Sequence, residues 1–233
     1  MRSKLNSVRA FQHVEPISIG NQLHRHLRGA IIRGELRPGQ ALSESEIAKR
    51  YATSRQPVRE AFIKLAEERL VAILPQRGTF VVKISVADVL DACFVREAIE
   101  VAVVQQAAIS APPGAVKDLR DLVAQQAKVA TGLNEEFLAL DEEFHRTIAL
   151  SVGRAHAWRV IESIKAQMDR IRYLSLDDAT PMAMLIAQHT RIVDSIEARD
   201  PVAAADAQRA HMHEIIVSLP RIAGQFPDIF EPA

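Results

Sequence analysis

The sequence predicts a mostly α-helical protein in two parts. An N-terminal winged helix-turn-helix (three helices plus a β-hairpin) is joined to an all-α helical bundle of about six helices. Three observations carry this expectation. The stretch Ser54-Arg55-Gln56-Pro57-Val58-Arg59-Glu60-Ala61-Phe62 reads as a helix opened by a serine cap, with Pro57 in the first turn, where backbone N–H groups lack helical partners. Two β-prone runs, Val71-Ala72-Ile73-Leu74 and Thr79-Phe80-Val81-Val82, flank the turn Pro75-Gln76-Arg77-Gly78. From Ser85 onward no strand signal appears, and helical periodicity runs to about Ser218.

Residues 1–16 are polar, end at Pro16 and are expected to form a flexible arm. Helix one spans Ile17 to Arg33, where Ile19, Leu23, Leu27, Ala30 and Ile31 recur at helical spacing; Gly34 and Arg37-Pro38-Gly39 close it. Ser43 and Glu46 form a capping box that starts helix two at Ser43, and that helix ends near Tyr51. Helix three runs from the cap at Ser54 to about Arg69, and the hairpin follows. Lys83-Ile84-Ser85 is the connector, which divides the chain into 17–84 and a helical part, 85–220, with 221–233 as a C-terminal tail. Breaks at Pro112-Pro113-Gly114, Thr131-Gly132, Gly153, Thr180-Pro181 and Asp200-Pro201 delimit the later helices.

The formal net charge is zero, but it is unevenly placed. Residues 1–84 carry 15 Lys/Arg against 7 Asp/Glu, or +8, and the remainder carries 14 against 22, or −8. A basic module beside an acidic one is the electrostatic footprint of a DNA-binding domain with a separate second domain. Arg55 and Arg59, four apart, share a face at the end of helix three that a helix-turn-helix turns towards base edges. Cys93 is the only cysteine, which excludes an intramolecular disulfide and a thiolate zinc site. No apolar run approaches a membrane span and the N-terminus lacks the apolar core of a signal peptide, so a soluble, cytoplasmic protein is expected.

The run Leu42-Ser43-Glu44…Ser54-Arg55-Gln56-Pro57-Val58-Arg59-Glu60-Ala61-Phe62…Leu65…Pro75-Gln76-Arg77-Gly78-Thr79-Phe80-Val81 resembles the N-terminal domain of GntR-family regulators. The helical remainder is similar to the FCD domain of the FadR subfamily, with Arg96…Glu100, Asp141…Phe144-His145, His189 and His211 as its marks. Within that subfamily the recognition-helix and wing segments look closest to RspR-type repressors, a group linked to sugar-acid catabolism genes. Two positions depart from the family pattern. Thr53 replaces the usual Val before the cap. Arg69 replaces the Gly that commonly ends the recognition helix, where a left-handed residue costs Arg more than Gly.

The resemblance, together with helix geometry, implies a homodimer that reads a short inverted repeat in double-stranded DNA. Arg55 and Arg59 would contact guanine edges or phosphates and Gln56 a neighbouring base. Ser43 and Ser45 would anchor phosphates, Ser54 would cap the helix at the DNA face, and Arg77 and Gly78 would place the wing tip in a groove. In the helical domain Asp141 and His145 lie at i and i+4, and His189 and His211 fall on two later helices. On spacing alone, Asp141 and His145 are either an ion pair or two ligands of a divalent metal. The resemblance implies the metal, with all four residues as ligands and Zn²⁺, Ni²⁺, Mn²⁺ and Fe²⁺ all compatible. Four protein ligands on a six-coordinate ion leave two positions for water or a bidentate effector. His13, His24, His26, His156 and His213 read as surface or hydrogen-bonded residues.

Arg96 lies three residues after Cys93 on an apolar face formed with Val86, Val89 and Leu90, so its guanidinium needs an anionic partner. That partner is either Glu100, one turn on, or the carboxylate effector that the resemblance implies. Arg172 and Tyr173 are further candidates for the effector pocket; the alternative is an ordinary surface turn. The expectation is a ligand-responsive transcription regulator, a repressor rather than an activator, controlled by a sugar acid or hydroxy acid and not an enzyme. A metal-dependent enzyme, a direct metal sensor and a regulator with a purely structural metal stand as alternatives.

Overall fold

The computed structural model describes residues 18–130, 134–176 and 179–232. The expected arm, residue Ile17 and the Thr131-Gly132 break lie outside the described residues. The N-terminal part runs α1 (Ile19–Ile32), β1 (Ala41–Leu42), α2 (Glu44–Arg50), α3 (Arg55–Glu67), β2 (Val71–Leu74) and β3 (Gly78–Val81). It is a winged helix whose three helices close over Leu23, Leu27, Ile31, Val58, Phe62 and Leu65, with Val71 and Val81 of the wing sealing the same core. The hairpin keeps its predicted place, with Val71 opposite Val81 and Leu74 opposite Gly78. The sheet has a third strand that the sequence did not announce: β1 pairs antiparallel with β3, Ala41 opposite Phe80 and Leu42 opposite Thr79. Two residues are too few to show alternation, so its existence depends on the wing strand beside it.

Local caps follow the sequence closely, with one exception. Ser43 Oγ accepts from Glu46 N at 3.3 Å at the start of α2, and Ser85 Oγ accepts from Asp88 N at 3.2 Å at the next helix. Ser54 occupies the N-cap of α3 but makes no capping side-chain bond. Helix three also ends earlier than expected, at Glu67, because Arg69 turns left-handed with φ +56°. Leu70 N then reaches back to Leu65 O at 2.9 Å, the closing bond of a Schellman turn, so Arg occupies the position that glycine ordinarily fills.

Among the described residues seven helices follow: α4 (Val86–Ser110), α5 (Pro113–Val129), α6 (Asn134–Ser151), α7 (Ala155–Ile164), α8 (Ala166–Ser175), α9 (Met182–Glu197) and α10 (Pro201–Gln225). One predicted helix is therefore two, divided at Lys165 without Gly or Pro to mark the break. There the buried Lys165 Nζ bonds Glu142 at 2.9 Å and Asp169 at 2.8 Å. The C-terminal segment also departs from expectation. Helix α10 continues through Pro220 to Gln225, and a short 3₁₀ turn (Pro227–Ile229) leads to Phe230, which bridges in parallel to Ile84. Ile84 is fully buried and its N–H donates to Ile229 O at 2.8 Å. The expected tail thus packs on the connector, burying Phe230 and Ile222 against Ile84, Val89, Met168 and Ile171.

The bundle core is built from Val104, Ala108, Leu119, Phe144, Ile148, Trp158, Ile161, Ile192 and Val193. Small residues on α4 and α10 let these two long helices pack closely, as Ala107, Ala108, Ala204 and Ala205 all are buried. Helix α8 lies between the two parts of the protein. Ala166 enters the winged-helix core, Arg170 Nη1 donates to Val82 O at 3.0 Å, and Gln167 donates to the carbonyl of Arg69.

Candidate metal centre and nucleic-acid interface

Four residues from three helices meet inside the bundle. Asp141 and His145 point inwards from α6, His189 from α9 and His211 from α10, and one ligand-type atom from each lies within 4.8 Å of the others. All four are buried. Each imidazole is oriented by an acceptor on its Nδ1 side. Glu100 Oε2 is 2.7 Å from His145 Nδ1, Gln126 Oε1 is 2.8 Å from His189 Nδ1, and Gln188 Oε1 is 3.0 Å from His211 Nδ1. Gln126 and Gln188 accept at Nδ1 of His189 and His211, which places the proton of those two neutral rings there and turns their Nε2 lone pairs towards His145 Nε2 and Asp141. His145 Nε2 is 3.1 Å and His189 Nε2 3.3 Å from His211 Nε2. Phe144 stacks on His189 at 4.4 Å between ring centroids and fixes its plane.

The electrostatics favour a cation at that point. Burial, together with neighbouring positive groups, pushes His189 down to about 3 and His211 well below the usual imidazole range, so both rings stay neutral and able to ligate. Burial alone would raise the Asp141 carboxyl, but the Arg172 guanidinium and the three histidines outweigh it and hold it ionised far below its usual range. Asp141 Oδ1 is buried, has no hydrogen-bond partner and lies 3.5 Å from His189 Nε2. Three imidazole nitrogens and an orphaned carboxylate oxygen facing one another repel unless a positive charge lies between them. The donor set therefore fits a divalent metal, with Asp141, His145, His189 and His211 to hold it.

Two guanidiniums border this cluster. Arg96 is buried and bonds Glu100, the i+4 partner on α4. Arg172 bonds Asp141 Oδ2 and lies 3.5 Å from Asp169 Oδ1. Burial raises the Glu100 carboxyl, but Arg96 and then His145 more than offset that and hold it at about 2. Arg96 and Arg172 line one cavity with Asp141, His211, Ser175 and Thr180, walled by Leu185 and Met212 among others. Its volume is about 20 Å³, room for a water molecule or two but not for a sugar acid while both arginines stay on their internal carboxylates. Tyr173 is not brought to this cavity. It lines a neighbouring one with Arg28, Gly29, Ile32 and Arg33, to which Arg172 and Leu138 also contribute. Gln126, Gln188 and Gln208 are the site residues that the sequence did not single out, while Glu100, named there as the possible partner of Arg96, also contacts His145. Glu100 had a signal in its i,i+4 relation to Arg96; the glutamines had none.

On the winged helix, Arg55, Gln56 and Arg59 are exposed along the outer face of α3, while Val58, Ala61 and Phe62 are buried beneath them. Arg59 Nε donates to both oxygens of Glu44 at 2.9 Å, and Gln56 bonds Glu60 at 3.3 Å. Ser43 and Ser45 share a hydroxyl contact of 2.9 Å at the head of α2. Arg77 and Gly78 are exposed at the wing tip, where Gly78 has φ +102°, a conformation that side chains rarely adopt.

A recognition helix with an outward arginine face, a wing and a second domain with a closed ligand-type site together define a winged-helix transcription regulator. Residues 19–81 match the family model of bacterial regulatory proteins of the gntR family, and residues 91–214 match the FCD domain. The chain belongs to the GntR family and carries an FCD domain. It is 39% identical over 213 residues to the HTH-type transcriptional repressor RspR of Escherichia coli K12, covering 91% of this chain and 93% of that protein. It is 28% identical to a probable D-xylose utilization operon transcriptional repressor of Paenarthrobacter nicotinovorans, covering 88% and 89% of the two chains. Among solved structures, a GntR transcriptional regulator from Rhodococcus sp. RHA1 superposes with a TM-score of 0.67 at 26% identity, covering 88% of this chain and 97% of that one. Escherichia coli McbR/YncC shares the fold with a TM-score of 0.75 at 18% identity, over 91% and 100%. These relatives are transcription regulators rather than enzymes. Among the described residues no helix is long and apolar enough to cross a membrane.

Proposed function

We propose that this protein is a cytoplasmic, ligand-responsive repressor of the FadR subfamily that binds a short inverted repeat as a homodimer. A small carboxylate, a sugar acid or hydroxy acid, controls it from the helical domain. The observation that carries the reading is the convergence of three oriented imidazoles and the Asp141 carboxylate beside two arginines, behind a winged helix with an arginine-bearing outer face. The repressor sign is supported by the names of the two relatives, one of them attached to a sugar operon. Dimerisation is supported by the outer face of α4, where Leu90 and Phe94 stand exposed beside Ala98 and Ala102.

A metal held by Asp141, His145, His189 and His211 would act as a Lewis acid that attracts the effector's carboxylate. This chain's own residues do the rest. Arg96 and Arg172 each sit on an internal carboxylate, and an incoming anion competes for those guanidiniums. Arg172 also touches Asp169 on α8, the helix that packs on the winged helix. Effector binding therefore repartitions Arg172 between the site and the domain interface, and this differential contact lets a ligand change DNA affinity. On the DNA side, Arg55, Gln56 and Arg59 read bases, Ser43, Ser45 and Ser54 meet phosphates, and Arg77 with Gly78 enters a groove.

The test is fluorescence anisotropy of the metal-loaded protein on DNA from upstream of its own gene at fixed salt, titrated with sugar acids and short hydroxy acids. Specific binding released by one acid is the expected result. Release by chelator with no response to any acid would replace the carboxylate signal with the metal itself. Loss of all specific binding to an operator-containing fragment would sink the reading.

A further inference from the structure

Of the three arginines read as facing DNA, Arg55, Arg59 and Arg77, Arg59 alone is held in an ion pair among the described residues. Its Nε donates to both oxygens of Glu44, at 2.9 Å each. Glu44 is the first residue of α2 and Arg59 lies in the second turn of α3, so the contact ties the two helices of the helix-turn-helix together on their outer side. The side chains are 57% and 32% exposed, and a pair so wet adds little to stability. It does, however, change what Arg59 offers to DNA. With Nε occupied, the guanidinium presents its two terminal amino groups end-on. With a carboxylate alongside, the pair is neutral and contributes little to phosphate attraction or counterion release. A held, neutralised arginine is a poor phosphate anchor and a good fit to the O6 and N7 acceptors of a guanine.

We infer that Glu44 is a specificity-determining positioning residue: it aims the terminal fork of Arg59 at a guanine and withholds it from phosphate. The inference rests on reading Arg59 as a base-contacting residue. Arg55 and Arg77 keep their charge unpartnered, so they add electrostatic attraction to the base and groove contacts they make.

The experiment selects bound duplexes from a random-sequence DNA library with the full-length protein, comparing wild type with Arg59→Ala, Glu44→Ala and Glu44→Gln. Arg59→Ala is expected to erase a guanine preference at one position of the selected motif. Glu44→Ala is expected to weaken the preference at that same position roughly tenfold, leaving the other positions intact, and to steepen the salt dependence of binding by about one counterion. Glu44→Gln keeps an oxygen to accept from Nε and is expected to recover part of the preference. If Arg59→Ala erases the guanine but Glu44→Ala leaves it, Glu44 is a bystander and only this inference falls. If Arg59→Ala leaves the motif unchanged, Arg59 is not a reader and both fall. Glu44 also sits in the first turn of α2, where a carboxylate complements the helix dipole. A purely structural role there would lower the thermal midpoint and weaken every position alike, and that pattern would also overturn the inference.

Discussion

Arg28 on α1 and Asp169 on α8 meet at 2.7 Å, joining the winged helix to the helical domain through a charge pair that is largely removed from water. Arg28 also donates through Nε to Glu68 at the end of the recognition helix, at 2.7 Å. Asp169 receives Lys165 at 2.8 Å and lies 3.5 Å from Arg172, which in turn bonds Asp141 of the candidate metal centre. A continuous series of charges therefore runs from the metal-type cluster to the base of the recognition helix. It passes through α8 and α1 rather than only through the covalent connector into α4.

Asp169→Asn keeps the shape but strips Arg28 and Lys165 of their shared anion. Removing one partner of a buried charge network costs about 3–5 kcal/mol, because the remaining charges stay desolvated. A loss of about 3 kcal/mol in urea unfolding is expected for Asp169→Asn, and an unchanged midpoint would show that the interface does not depend on this anion.

The same residues set an acid limit. Burial raises the carboxyls of Asp169 and Glu68, but Lys165 and Arg28 at Asp169, and a hydrogen bond to His24 together with Arg28 at Glu68, more than offset it, so both stay ionised below their usual range. A carboxyl with a folded value below its unfolded value contributes stability in full above the unfolded value, and loses it as pH falls through the folded one. Stability is therefore expected to hold from neutrality to about pH 5 and to fall below about pH 4. Thermal midpoints across that range would show it, with a shallower fall in Asp169→Asn.

Metal should stabilise the bundle. Addition of Zn²⁺, Mn²⁺ or Ni²⁺ to chelator-stripped protein is expected to raise its stability by about 3 kcal/mol at a hundredfold excess over Kd. His189→Ala is expected to abolish the gain. Calorimetric scanning with and without metal would measure both, and an equal gain in His189→Ala would remove that residue from the ligand set.

Two left-handed residues are open to improvement. Ala52 has φ +49° and Arg69 φ +56°, and each follows a helix end where the next N–H closes back onto the helix: Thr53 to Ala48 and Leu70 to Leu65. A left-handed L-residue costs roughly 1–2 kcal/mol, and glycine returns part of that through its floppier unfolded chain. Ala52→Gly and Arg69→Gly are each expected to add about 0.5–1 kcal/mol in denaturant titrations, with Arg69→Gly giving up only its exposed bond to Asp88.

Much of this architecture was legible in the chain itself. Ser43 with Glu46, the cap position at Ser54, the turn around Gly78, the onset of helix at Ser85 and the break at Asp200-Pro201 are local signals, because hydrogen bonds between near neighbours and restricted dihedrals need no distant partner. Helical spacing placed Asp141 and His145 on one face for the same reason. What the sequence by itself determined is thus the order of elements, their ends, and which residues share a face. Only the tertiary structure decided which faces meet. It brought His189 and His211 to Asp141, set Gln126 and Gln188 behind the histidines, seated Arg172 on Asp141, split α7 from α8 at Lys165, and folded the C-terminal segment onto Ile84. Those contacts join residues tens of positions apart, and their energy comes from burial and charge pairing across helices, which no local pattern records.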